Sequence, residues 1–71
     1  MKSHVAIFAG KQIELSEIPL TRQFREACQL ILDSGADGTV ICPDGRRYDI
    51  KQRSTFANQI RKVVQLERLF L

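Results

Sequence analysis

Tryptophan is absent from this chain, and tyrosine, histidine and methionine each occur once. A single histidine excludes the histidine-pair constellations of acid–base and metal chemistry. Cysteine occurs twice, at Cys28 and Cys42, with no C-x-x-C. Two cysteines cannot frame a disulfide scaffold. With His4 they give at most three scattered metal ligands, where a structural zinc site needs four in clustered pairs. The expected reading is two small buried hydrophobes in a reducing cytoplasm, with no metal and no cofactor. Long apolar runs are also missing. The longest is Val5 to Ala9, far short of the roughly 20 residues of a membrane helix, so no membrane partner is expected. That run is equally too short for the apolar region of a secretory signal. Glycine-rich phosphate loops and nucleophile elbows are absent too, since Gly35-Ala36-Asp37-Gly38 has the composition of a turn. Asp33, Asp37, Asp44 and Asp49 fall at helix-end, loop and strand-end positions where solvated aspartate is routine. The expectation is a protein that is not an enzyme.

What remains is 71 residues, 44% hydrophobic and 27% charged, the balance of one folded domain spanning residues 1–71. A chain of this size buries only about 60% of the surface that its unfolded form exposes, so a partner chain would add stability. The net charge of +3 is unevenly spread. Residues 1–45 carry four basic and six acidic side chains, a net of −2. Residues 46–71 carry seven basic residues (Arg46, Arg47, Lys51, Arg53, Arg61, Lys62, Arg68) and two acidic ones (Asp49, Glu67), a net of +5. Such asymmetry points to a nucleic acid or an acidic protein surface.

Val5, Ile7, Ile13 and Leu15 alternate on either side of Gly10, the pattern of a hairpin. If Ala9-Gly10-Lys11 form its loop, these four side chains share one face and Phe8 takes the other. A two-residue loop would instead group Phe8 with Ile13. The three-residue loop makes the larger one-sided apolar face and is the expected one. Pro19 suits a helix start, with Thr21 as an alternative cap. Leu20, Phe24, Ala27, Cys28 and Ile31 then recur at helical spacing up to Gly35, a natural helix terminator. In G-T-V-I-C-P-D-G-R-R-Y-D-I-K, Pro43 and Asp44 fit the centre of a type I turn and Gly45 the left-handed position after it. Cys42 then pairs with Arg46 and Val40 with Tyr48. Val40, Cys42, Tyr48 and Ile50 share one face, and Thr39, Ile41, Arg47 and Asp49 the other. Ser54 caps a last helix, whose expected buried stripe is Phe56, Ile60, Val63 and Phe70, with Val64 at its edge. Glu67 interrupts that stripe. Leu66 and Leu69 fall outside it. With Phe70, they form the expected interface of a homodimer or of a partner groove. The order ββαββα predicts an α+β fold of two layers: a four-stranded, mostly antiparallel sheet with two helices on one face.

On the last helix Asn58, Arg61, Gln65 and Arg68 recur at i, i+3, i+7 and i+10, with Lys62 beside them. These residue types neutralise phosphate and reach base edges in duplex DNA. They are also the ordinary composition of a solvated helix face. Arg46, Arg47, Lys51 and Arg53 strengthen the DNA reading if they converge with that row. No aromatic residue interleaves the basic ones, which disfavours single-strand stacking modes.

Residues 20–50, L-T-R-Q-F-R-E-A-C-Q-L-I-L-D-S-G-A-D-G-T-V-I-C-P-D-G-R-R-Y-D-I, resemble the DNA-binding half of the prevent-host-death antitoxins, the Phd/YefM group. The shared features are apolar helix positions like Phe24, Cys28, Ile31 and Leu32, a glycine turn like Gly35 to Gly38, a strand like Val40-Ile41 and a tight turn like Gly45-Arg46. To that pattern the chain adds an N-terminal hairpin. The resemblance implies a homodimer, autorepression, and operator contacts by Arg22 and Arg25 near the helix start. A second class also fits: a small inhibitor or adaptor, such as a phage protein that blocks a host enzyme or defence complex, docking through its sheet face or through Leu66 and Leu69.

Overall fold

A computed structural model describes residues 2–69. The chain runs β1 (Val5–Phe8), β2 (Lys11–Glu14), α1 (Leu20–Ser34), β3 (Gly38–Ile41), β4 (Arg47–Ile50) and α2 (Thr55–Leu69). The strands form one sheet in the order β2-β1-β3-β4, with every neighbouring pair antiparallel. This is the expected ββαββα α+β fold.

The first hairpin departs from expectation. Ala9 and Gly10 both take positive φ, 50° and 73°, and Phe8 lies opposite Lys11. The loop therefore has two residues, of the kind whose twist matches that of the flanking strands. This register sets Ala6 against Ile13 and turns Phe8 inward with them. The four-residue face of Val5, Ile7, Ile13 and Leu15 does not form. Matching twist and the burial of the largest side chain outweigh the count of aliphatic groups.

The second hairpin follows its turn residues. Gly45 N–H donates to Cys42 O at 2.9 Å, Gly45 has φ 92°, and Cys42 N–H donates to Arg46 O at 2.8 Å. Val40 opposes Tyr48 as expected. The buried cluster joins Ala6, Phe8, Leu15, Val40 and Ile50 from this side of the sheet and its flanks to Ala27, Cys28, Ile31 and Leu32 of α1 and Ala57 of α2. Both helices thus lie on one face. On the other, Val5 is buried and Ile7, Thr39 and Ile41 are half-buried beside exposed Arg47 and Asp49, and neither helix covers them.

Helix α1 starts after Pro19 without a side-chain cap and ends at Gly35 (φ 78°), whose N–H donates to Leu32 O. Leu20, expected in the buried stripe, projects into solvent at the first position of the helix, 57% exposed. Gln23 is buried instead. Its Nε2 donates to Ile18 O at 2.8 Å, and its Oε1 accepts from His4 N–H at 2.8 Å and lies 3.0 Å from His4 Nδ1. These bonds satisfy the buried amide and pin the helix start to the segment that leads into β1.

Helix α2 is capped as expected, Ala57 N–H donating to Ser54 Oγ at 3.0 Å. Its inward stripe is rotated from the expected one. Ala57 is buried, and Ile60 and Val64 are half-buried. Phe56 and Val63 are 40% and 43% exposed. A small residue on the contact line lets α2 approach α1 closely, and the bulky Phe56 is turned aside. Phe70 lies outside the described residues.

Candidate nucleic-acid interface

Ion pairing and hydrogen bonding divide the expected DNA-contacting residues into two groups. Arg61 does not lie on an outward row. Its guanidinium folds back on the β4–α2 connection, donating to Gln52 O at 2.8 Å, to Gln52 Oε1 and to Asn58 Oδ1 at 3.4 Å. Gln52 is the centre of this arrangement. Its Nε2 donates to Ile31 O at 3.0 Å and to Ala36 O at 2.8 Å, and its own N–H donates to Asp37 Oδ1 at 2.9 Å. The Gln52 side chain thus joins the Ser34 hydroxyl on Ile31 O in the last turn of α1, satisfies Ala36 O just beyond the helix, and also anchors α2 through Arg61. Arg25 likewise turns away from solvent. It donates to and ion-pairs with Glu67, both side chains being partly buried. This pair explains the carboxylate in the expected apolar stripe of α2: Glu67 meets a cation on α1. Arg22 lies 3.7 Å from Glu26 one turn along α1, and Arg46 lies 3.2 Å from Asp44 within the second turn.

The other group keeps its charge available. Among the described residues, Arg47, Lys51, Arg53, Lys62 and Arg68 have no acidic partner within ion-pair distance. Arg47 stands on the uncovered face of the sheet, opposite in sense to Arg46. Lys51 and Arg53 lie in the β4–α2 connection, and Lys62, Gln65 and Arg68 on the exposed part of α2. Gln65 and Lys62 line a shallow cleft with Leu66 and Leu69, which are 55% and 73% exposed. Both acidic residues of the C-terminal third are already engaged, Glu67 by Arg25 and Asp49 by the Thr39 hydroxyl at 3.2 Å.

A second feature was not anticipated. Beside β4 and the start of α2 lies a cavity of about 560 Å³ lined by His4, Phe24, Cys42, Tyr48, Ile50 and Phe56, among others. The Phe24 ring meets Tyr48 edge-on at 5.3 Å and Phe56 at 6.3 Å. Tyr48 and Phe56, placed apart in sequence, are brought together only by the tertiary fold. Both cysteines are buried and unpaired. Burial pushes the Cys28 thiol up to about 11. Burial, then the charge of Asp44, also raises Cys42. Neither is a thiolate at neutral pH.

Among the described residues no group of three potential metal ligands occurs, and no helix is long and apolar enough to cross a membrane. No family model matches the chain, and no characterised protein or solved structure matches it either.

Proposed function

We propose that this chain is a non-enzymatic regulatory domain that binds duplex DNA as a homodimer, in the manner implied by its resemblance to the prevent-host-death antitoxins. The observation that carries the reading is the uncompensated positive charge of the C-terminal third: five cations without an acidic partner among the described residues, and both local carboxylates engaged elsewhere. Lys51, Arg53, Lys62 and Arg68 would neutralise phosphate, and Gln65 has the donor and acceptor needed at a base edge. Arg25 and Arg61 position structure in this reading and do not touch DNA. Fluorescence anisotropy on a random duplex at low salt tests it. Micromolar binding that weakens steeply with added salt is expected, and its absence removes the DNA reading.

A protein-docking reading is favoured by a different observation, the exposure of Leu66 and Leu69 on α2. An inhibitor or adaptor would seat these side chains in a partner groove. It predicts no salt-dependent binding to duplex, and loss of partner capture in Leu69→Asp.

A further inference from the structure

The sheet ends at β4 before it has covered its second helix. β4 is an edge strand, paired only with β3. In an antiparallel ladder, residues alternate between those that bond across the pair and those whose N–H and C=O point outward. Cys42 bonds to Arg46, so Tyr48 and Ile50 also turn their polar groups to β3. Arg47 and Asp49 therefore direct theirs to the free edge. Beside that edge lies the aromatic cavity under the start of α2, and Tyr48 and Phe56, which line it, are left about two-fifths exposed. One added strand would pair the free groups and cover these side chains.

We propose that this strand is β4 of a second copy, paired antiparallel about Tyr48. The register decides the occupant. Centring the two-fold on Tyr48 places Arg47 opposite Asp49 of the second copy, and Asp49 opposite its Arg47. Both are outward-bonding positions, so their backbones bond directly while their side chains make two cross-strand ion pairs. Arg47 has no acidic partner within its own chain among the described residues, and Asp49 holds only the Thr39 hydroxyl. Tyr48 meets its counterpart on the helix-bearing face, beside the cavity. The opposite edge offers no such match. There Gln12 and Glu14 hold the equivalent outward positions, and self-pairing sets an amide against a carboxylate. The two-fold stands perpendicular to the sheet, so the dimer is a continuous eight-stranded sheet with all four helices on one side. It deepens the homodimer of the proposed function, and it withdraws Arg47 from the DNA surface.

Sedimentation analysis of the full chain and three variants tests the pairing. The wild type should sediment at twice its 8.1 kDa at micromolar concentration. Arg47→Asp and Asp49→Arg each turn two opposite-charge contacts into two like-charge ones and should weaken the dimer ~10-fold or more. The double exchange Arg47→Asp/Asp49→Arg restores both contacts and should restore the dimer. Circular dichroism at 222 nm confirms that each variant is folded. A wild type that is monomeric into the millimolar range overturns the proposal. So does a dimer indifferent to both single reversals, or a double exchange no better than either. The double variant keeps the net charge and leaves Lys62 and Arg68 untouched. Loss of DNA binding with an intact dimer would therefore sink the proposed function alone.

Discussion

Replacing Gly38 by alanine adds one methyl group at the tightest point of the core. Gly38 opens β3 between Phe8 of β1 and Ile50 of β4, directly beneath α1. A β-carbon there would stand 2.5 Å from Ile7 O, 2.9 Å from Phe8 Cβ and 3.0 Å from Ile31 Cγ2. The first is backbone already held in the sheet, and the others belong to Phe8 and Ile31, both members of the buried cluster. None is a flexible tip, so β3, β1 and α1 must separate. Overpacking of this kind costs about 1–3 kcal/mol. Alanine also stiffens the unfolded chain, which offsets roughly 0.4–1 kcal/mol. A net loss of about 1.3 kcal/mol lowers Tm by roughly 5–10 °C in a domain of this size. Thermal melting followed by circular dichroism reads it directly. Gly35→Ala is the control: nothing lies within 4 Å of its β-carbon, but its φ of +78° is unfavourable for alanine, a cost of roughly 1 kcal/mol. If Gly38→Ala melts within 2 °C of wild type, the close approach of α1 to the sheet is wrong.

Other perturbations separate the polar contacts. Gln52→Ala leaves Ala36 O without its side-chain donor and Ile31 O with the Ser34 hydroxyl alone, and it frees Arg61, so urea unfolding should show a loss of about 1–3 kcal/mol. An unchanged midpoint would deny the clasp between the two helices. The Cys28 thiol rises from 9.0 unfolded to about 11 folded. The folded state then holds its proton more tightly, so stability is present below pH 9 and lost as pH climbs toward 11, by about 2–3 kcal/mol in all. Cys28→Ala should lose less over that window, and equal losses in both proteins would refute the assignment. Gln23→Ala abandons His4 N–H at the start of β1. Hydrogen exchange of the first hairpin should accelerate about tenfold or more, and unchanged protection would contradict this role.

How much was legible beforehand depended on whether the governing force was local. Pro43, Asp44 and Gly45 admit essentially one turn, so the register of the second hairpin, and with it the faces of Tyr48 and Arg47, could be read directly. Ala9-Gly10-Lys11 admits two loops, and the choice rests on what α1 covers. The rotation of α2 differs from the expected one for a related reason. Stripes through Phe56 or Ala57 differ by one residue, and apolar size favours the first. The winner is fixed by partners outside the helix: Glu67 meets Arg25 of α1, and Arg61 meets Gln52 in the β4–α2 connection. No periodicity marks those pairs. The same blindness put Arg61 and Arg25 among the DNA-contacting residues. A glutamate inside an apolar stripe was the available signal that α1 would supply a cation.

The division of cations into committed and available ones is open to a single measurement, the salt dependence of duplex binding in Arg61→Gln and Lys62→Gln. Each phosphate neutralised contributes about 0.9 to the slope of log K against log salt. The account predicts a slope lowered by about one in Lys62→Gln and unchanged in Arg61→Gln. The reverse pattern, or equal slopes in both variants, would contradict it.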